Sequence, residues 1–545
     1  MDPESAMEHH SLENLALERF GKYVSEILDN LIERIQEIST DDLKFNYLRP
    51  ICDFLEDFIY KNVPPRLADI VTEVTVRLLM LTWKCQKQLH FDRTWKRHLQ
   101  NQRGCCRFCE TELYRIHEDF VEISRRIAVQ IAISVSHQSI TSLQYDPAGD
   151  YDFQMFYFEG MLRKANHLKE LVLWNMPRFE MFPNMKTLEF CSWGKCTDET
   201  LAMLADSAAE LRYLRVTDSE ESMTDRSIDF ILKFCNLTHL DISCTHISPE
   251  GKERLFEGLG FLGQNSDSIP DCRRTDDSVS EPRKTCLNYL SLDLQPSDVN
   301  LIIEHLQELT ALELVLFEEC NLIPLKQLKR LVSLSIRNEG FYSAFSPVGD
   351  LIREVGARLV ILRLHVHVEI DMKLIAEHCT SLKSFTLSIN SVDYPFRENI
   401  SDEDLSEYFS FQMESVEFFE LYMAGKHIWK IFPFLLSCFV NLRRVSLYTR
   451  VNSKYKNVSL EDCLLHPLKE GLIKELIFNG NKIQYCGEHS VITSDKGYSV
   501  IVAKEDLEKA IKCIEEGREI QNFGKQFRII PRKKLRCLGL IKNVW

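Results

Sequence analysis

The sequence predicts an α/β solenoid preceded by an all-helical region. Three observations predict it. The cadence Leu-x-x-Leu-x-Leu recurs through residues 140–478. Most of its copies lie roughly 22 to 31 residues apart, the spacing of a stacked supersecondary unit. Ahead of it, residues 11 to about 135 carry apolar side chains at helical spacing instead.

Residues 1–10 are polar and acidic and predict a flexible N-terminus or a tag, with Met7 as an alternative start. Residues 11–136 predict helices. Ser11 can cap the first of them. Leu12, Leu15, Ala16, Phe20, Val24, Ile27, Leu28 and Leu31 follow as its apolar positions. A second helix is predicted over about Leu48–Tyr60, stopped by Val63-Pro64-Pro65, because proline cannot continue a helix. A third begins after Pro65, with Leu67, Ile70, Val74, Leu78 and Leu81 as its core face. A fourth covers about Glu112–Ser136.

Residues 137–498 carry the repeat. Clear copies are Leu168-Lys-Glu-Leu171-Val-Leu173, Leu211-Arg-Tyr-Leu214-Arg-Val216, Leu237-Thr-His-Leu240-Asp-Ile242 and Leu287-Asn-Tyr-Leu290-Ser-Leu292. Others begin at Leu331, Leu359, Leu382 and Leu442, and weaker ones at Ile140, Met185, Leu309, Val416 and Ile473. Within each, the consensus apolar residues point inward and the residues between them point outward, since side chains alternate on a strand. Asp198–Ala209, Asp225–Phe234, Ser346–Ala357 and Met372–His378 predict helices between strands. The interval between Leu237 and Leu287 is about two repeats long. Within it, residues 263–285 are rich in Ser, Asp, Pro and Arg and predict a disordered insertion. Residues 499–545 leave the cadence. Glu505–Glu519 predicts a helix that caps the open end, and Arg532, Lys533, Lys534 and Arg536 make the tail basic.

The cadence resembles the leucine-rich repeat. Helix-bearing repeats of this length imply a horseshoe with a concave strand face, and a solenoid is ordinarily a binding surface. Trp174, Tyr213, Arg215, His239, Tyr289, Arg363 and His365 are the candidate contact residues, because aromatic and Arg side chains dominate binding hot spots. His365 and His367 alternate on one predicted strand and are expected to be contact residues rather than a metal pair.

Composition narrows the function. The formal net charge is −15, which argues against general nucleic-acid binding. No apolar run is long enough to span a bilayer, so no membrane association is expected. The 18 cysteines include Cys191, Cys235, Cys244, Cys320 and Cys379 beside repeat positions, where a small buried hydrophobe fits. With no signal peptide evident, a cytoplasmic or nuclear location is expected. The sequence contains no P-loop, HExxH or GxSxG motif, so a binding subunit is expected, with no cofactor. Cys85, His90, His98, Cys105, Cys106 and Cys109 cluster near one another. Cys106-Arg-Phe-Cys109 could grip one edge of a zinc ion with Cys85 and His98, although structural cysteines are the plainer reading.

The first helix, Ser11-Leu12-Glu-Asn-Leu15-Ala16-Leu17-Glu-Arg-Phe20, spaces Leu12, Ala16 and Phe20 by four. It resembles the Elongin C-binding box, with Ala16 where cysteine is usual. Val63-Pro64-Pro65-Arg66-Leu67-Ala-Asp-Ile70 resembles the short box with which such receptors select cullin-2, and Leu48-Arg-Pro-Ile-Cys52 is a weaker echo of it. Together these features resemble the leucine-rich-repeat substrate receptors of Elongin BC–cullin-2 ubiquitin ligases, such as the zyg-eleven and PRAME families. The armadillo domain of the former is not evident. The resemblance implies that Leu12, Ala16 and Phe20 meet Elongin C in complex with Elongin B. It implies that Val63, Pro64, Leu67 and Ile70 meet cullin-2, and that the repeat holds a protein substrate. Two alternatives stand beside it. Val63–Leu67 also loosely resembles an F-box, which implies a Skp-type adaptor. The third reading is a scaffold that joins protein partners.

Overall fold

The computed structural model describes residues 19–20, 22–34, 41–101, 107–144, 151–173, 185–194, 196–217, 223–243, 245–264, 287–339, 346–366, 371–389, 402–424, 428–450, 475–478, 481–485, 489–493 and 499–503. The chain forms two compact units, Met1–Leu237 and Thr238–Trp545.

In the first unit, helices α1 (22–34), α2 (Asp41–Asn62), α3 (Ala68–Asn101) and α4 (Arg107–Val135) precede strand β1 (Ser142–Gln144). A 3-10 turn at Pro65–Leu67 separates α2 from α3, as the prolines dictate. Helix α3 buries Ala68, Val71, Thr72, Thr75, Leu79, Met80 and Trp83. This stripe is rotated from the expected one. Ile70 is 49% exposed and Leu81 is 48% exposed, while Val74 and Leu78 are half-buried. The reason is a polar anchor: the buried Trp83 indole donates to Ser124 Oγ on α4 at 3.1 Å, which fixes the face that α3 turns inward.

The helices are joined to the first repeats by named bonds. Asp69 accepts from the Thr141 amide at 2.7 Å, the Thr141 hydroxyl at 2.6 Å and the Ser142 amide at 3.2 Å, at the mouth of β1. Helix α5 (Tyr151–Lys164) lies on α4, and a Cβ at its Gly160 would collide with the Ile133 side chain. Lys164 donates to the Ile133 carbonyl at 2.9 Å and pairs with Glu56 at 3.0 Å. Strands β2 (Glu170–Leu173), β3 (Phe190–Gly194) and β4 (Tyr213–Thr217) continue in parallel from β1, with α6 (Asp198–Ser207) and the short α7 (Ile228–Ile231) between and after them. The register aligns Leu143, Leu171, Cys191 and Leu214. The repeat assigned to Met185 therefore begins three residues later, at Leu188, with Cys191 and Trp193 as its inward residues. Thr197 caps α6 by accepting from the Thr200 amide at 3.2 Å. The helix expected over Asp225–Phe234 is a 3-10 turn at Asp225–Ser227 followed by α7.

The second unit holds β5 (His239–Asp241), α8 (Pro249–Gln264), β6 (Tyr289–Leu294), α9 (Asp298–His305), β7 (Ala311–Leu316), β8 (Ser333–Asn338), α10 (Ser346–Val355), β9 (Ile361–Val366), α11 (Met372–His378), β10 (Ser384–Ile389), α12 (Asp402–Tyr408), β11 (Phe418–Ala424), α13 (Ile428–Ser437) and β12 (Arg444–Arg450). Strands β5 to β12, and then β13 (Glu475–Phe478), pair in parallel, each with the next. Their apolar positions stack into two inward ladders. One contains Leu290, Leu312, Leu334, Leu362, Phe385, Phe419 and Val445. The other contains Leu292, Leu314, Ile336, Leu364, Leu387, Leu421 and Leu447. All of these side chains are buried.

Three details depart from the sequence reading. Gly263 and Gln264 belong to α8 rather than to the insertion, whose remainder lies outside the described residues. Cys235 is exposed, whereas Cys191, Cys320 and Cys379 are buried as expected, and Cys244 lies outside the described residues. Finally, β14 (Asn481–Tyr485), β15 (His489–Thr493) and β16 (Ser499–Ala503) pair antiparallel, so the parallel repeat ends at β13 rather than at residue 498. Short connections explain the turnover, because a parallel return needs a crossover of a dozen or more residues. The predicted helix at Glu505–Glu519 and the basic tail lie outside the described residues. Among the described residues, no helix is long and apolar enough to cross a membrane.

Candidate protein-binding face

The register of the second unit determines which side chains share its outward face. In one row stand Asp241, Ser291, Glu313, Ser335, Arg363, Thr386, Glu420 and Ser446. In the next stand Asp293, Val315, Arg337, His365, Ser388, Tyr422 and Tyr448. Neighbours within a row are about 4.8 Å apart, one strand spacing.

This geometry brings polar and planar groups together. Glu313 accepts from the Tyr289 hydroxyl at 2.9 Å and lies 3.6 Å from Arg337. Glu420 accepts from the Tyr422 hydroxyl at 2.9 Å and from Thr386 Oγ1 at 3.2 Å. Tyr422 and Tyr448 stack with ring centroids 4.4 Å apart and planes 4° from parallel. His365 approaches Tyr422 at 6.3 Å across the small Ser388. Burial, reinforced by Glu313 for Tyr289 and by Glu420 for Tyr422, raises both phenols above their ordinary range, so both remain donors. Burial, with Arg337 next in effect, lowers His365 below the usual imidazole value, against the opposite pull of Glu313 and Glu420.

Of the expected contact residues, Arg363 and His365 lie on β9 and share this face. His239 on β5 stacks on Tyr289 of β6, centroids 5.7 Å apart. In the first unit, Tyr213 stacks on Phe190 at 4.2 Å, and Arg215 is exposed on the same strand. Trp174 and His367 lie outside the described residues. The sequence reading missed Glu313, Arg337, Glu420, Tyr422 and Tyr448. The signal was present: Tyr422 and Tyr448 each follow the last apolar residue of a copy, the position His365 occupies after Leu364.

The helical region offers a different surface. Leu12 and Ala16 lie outside the described residues. Phe20 is half-buried and stacks on Phe58 of α2, centroids 5.9 Å apart and planes 11° from parallel. Phe58 is 40% exposed, and the adjoining Phe54 is 60% exposed. In the second box-like segment, Val63 and Leu67 are half-buried, and Pro64 and Ile70 are exposed. Large exposed apolar side chains in contact are the ordinary mark of an interaction patch.

Of the zinc candidates, Cys85 alone has a described side chain. Cys85 is exposed on α3, His98 and Cys109 lie on α3 and α4 with their side chains outside the described set, and Cys106 lies outside it. His90 meets His117, Nδ1 to Nδ1 at 3.2 Å. Among the described residues, no three His, Cys, Asp or Glu groups converge on a metal position.

No family model matches the sequence, and no curated protein matches it. Among solved structures, the chain is similar to one described as the complex of Rad7 and Elc1 in yeast, at 16% identity and a TM-score of 0.34. That likeness covers 53% of this chain and 68% of that one. It is also similar to an internalin, inlF, of Listeria monocytogenes, at 14% identity and a TM-score of 0.20, covering 50% of this chain and 85% of that one. Similarities of this size decide neither fold nor partner.

Proposed function

We propose that the chain is a non-catalytic substrate-recognition subunit of a cullin-RING ubiquitin ligase. The segment ending at Phe20 docks on Elongin C within the Elongin B–C pair, as a helix laid in a groove. Val63, Pro64, Leu67 and Ile70 meet cullin-2. The outward face of the repeat holds a protein substrate, in the cytosol or nucleus. One observation carries the reading: the box-like stripe ends at Phe20 in an exposed aromatic cluster with Phe54 and Phe58. A side chain of that kind beside an adaptor-type motif is what a helix-in-groove contact requires.

A second reading has its own support. Phe20 stacks on Phe58 within the chain, as in a scaffold whose first helix is packed on its neighbour. Co-expression with Elongin B and C separates the two. Co-elution of wild type, abolished by Leu12→Ser together with Phe20→Ser, supports the receptor. A monodisperse protein that ignores Elongin overturns it. The Skp-type adaptor is then the next partner to offer.

A further inference from the structure

Among the described residues of the outward face of β6–β12, one cation is left unmatched by its neighbours. Glu313 is engaged by Tyr289 and Arg337, and Glu420 by Tyr422 and Thr386. Arg337 also lies 3.9 Å from Glu339. Arg363, between them on β9, is exposed, and among the described residues nothing hydrogen-bonds or ion-pairs with it. Its row neighbours Ser335 and Thr386 are buried hydroxyls in direct register with it. His365 lies two residues along the same strand, and Arg337 is the register neighbour of His365. Three nitrogen-bearing side chains therefore converge on one patch of a protein whose net charge is −15.

We propose that this patch anchors an anionic side chain of an extended peptide segment, its oxygens carboxylate or phosphoryl, with Arg363 as the primary ligand and His365 and Arg337 beside it. The proposal rests on the repeat's outward face being where the partner protein sits, and it adds the chemistry that selects the partner. Guanidinium is suited to the task, because its planar fork matches the geometry of carboxylate and phosphate oxygens. Placement supplies a second determinant. The stacked Tyr422 and Tyr448 stand two and three strands from Arg363, roughly 10–14 Å away at one strand spacing each. An extended peptide advances about 3.3 Å per residue, so a side chain three or four residues from the anion reaches the tyrosine pair. An apolar or aromatic residue there would pack on the half-buried tyrosine pair, as aromatic pairs favour. The motif read by this face is an anion followed or preceded, three or four residues away, by an aromatic residue.

The probe is a set of fluorescein-labelled peptides of glycine and serine with one fixed Phe and, three residues from it on either side, one variable position. That position is Glu, Gln or phosphoserine. Binding to the full chain is read by polarisation at low salt. The expected result is that Glu or phosphoserine binds about tenfold tighter than Gln, the size of one charge-assisted pair. Arg363→Glu should erase the difference, while Arg363→Lys retains part of it. The ratio of phosphoserine to Glu identifies the source of the anion. Equal binding of Glu, Gln and phosphoserine peptides overturns the proposal, and so does the absence of binding by all three. Arg363→Ala should melt at the wild-type temperature, because the side chain is exposed and unpaired, so a lost signal is not a lost fold. The adaptor test is independent. Elongin co-elution with no anion preference removes this site and leaves the receptor standing, whereas anion preference without Elongin leaves the site and removes the receptor.

Discussion

Helix α3 and strand β9 both turn an apolar face inward, yet only one of them declared that face in the sequence. On β9, Leu362 and Leu364 point inward, while Arg363 and His365 point outward, as alternation requires. A strand has two faces, and its register with neighbours on both sides settles which is which. On α3, apolar residues occur nearly all round, and Ile70 and Leu81 fell on the exposed side. A helix has a continuum of faces, and a small rotation exchanges one apolar stripe for another. The repeat region is thus specified by pattern, and the helical region by particular polar bonds such as Trp83 to Ser124.

The largest test of that contrast lies in the repeat region, at a polar bond its pattern does not announce. Lys252 on α8 pairs with Asp298 on α9 at 2.8 Å and donates to the Asp293 carbonyl at 2.6 Å, with both charges almost fully buried. Asp298 also accepts from the Gln295 amide at 2.9 Å, which closes the turn into α9. Removing one partner strands a buried charge and costs about 3–5 kcal/mol. Lys252→Ala should therefore lower the urea midpoint of the second unit steeply. Lys252→Met with Asp298→Asn should recover much of the loss. A single variant with an unchanged midpoint would show that water reaches the pair.

The next test sets the two faces directly against each other. Leu364→Ala, in a fully buried ladder, should cost about 2–5 kcal/mol. Ile70→Ala, on the exposed side of α3, should stay within about 0.5 kcal/mol. A comparable loss at Ile70 would mean that another surface covers it, and would put the α3 face back where the helical spacing first placed it.

What was legible follows from the same physics. The predicted copies of the cadence correspond to β1–β13, and the only shift is at β3, where Cys191 and Trp193 stand in for two leucines. Helix α11 was placed at its observed bounds, Met372–His378. The antiparallel turnover after Phe478 was not legible, because strand periodicity is the same in both senses of pairing. Nor was the outward face complete. Arg363 and His365 were evident as charged residues between leucines, but Glu420 and Tyr422 lie in a copy whose first and second leucines are replaced by Val416 and Phe419. Only the register showed that these residues share two adjacent rows.

The smallest effect is the pH dependence of that face. His365 is turned toward Arg337, Arg363, Glu313, Glu420 and Tyr422, and burial leads in lowering its pKa. In the unfolded chain it takes a proton near the ordinary value of about 6.5. Between that value and the lower folded one, the unfolded state binds more protons, so stability rises with pH. The contribution is therefore present above about 6.5 and is lost as the pH falls through the folded value. His365→Gln should flatten that part of the acid-side decline in melting temperature while leaving pH 8 unchanged. A bound anion acts in the opposite sense, because it favours the imidazolium. Affinity of the Glu peptide should then increase from pH 7.5 to 6, and the increase should vanish in His365→Gln. If affinity is flat with pH in wild type, the imidazole does not reach the anion, and Arg363 holds it without help from β9's second outward side chain.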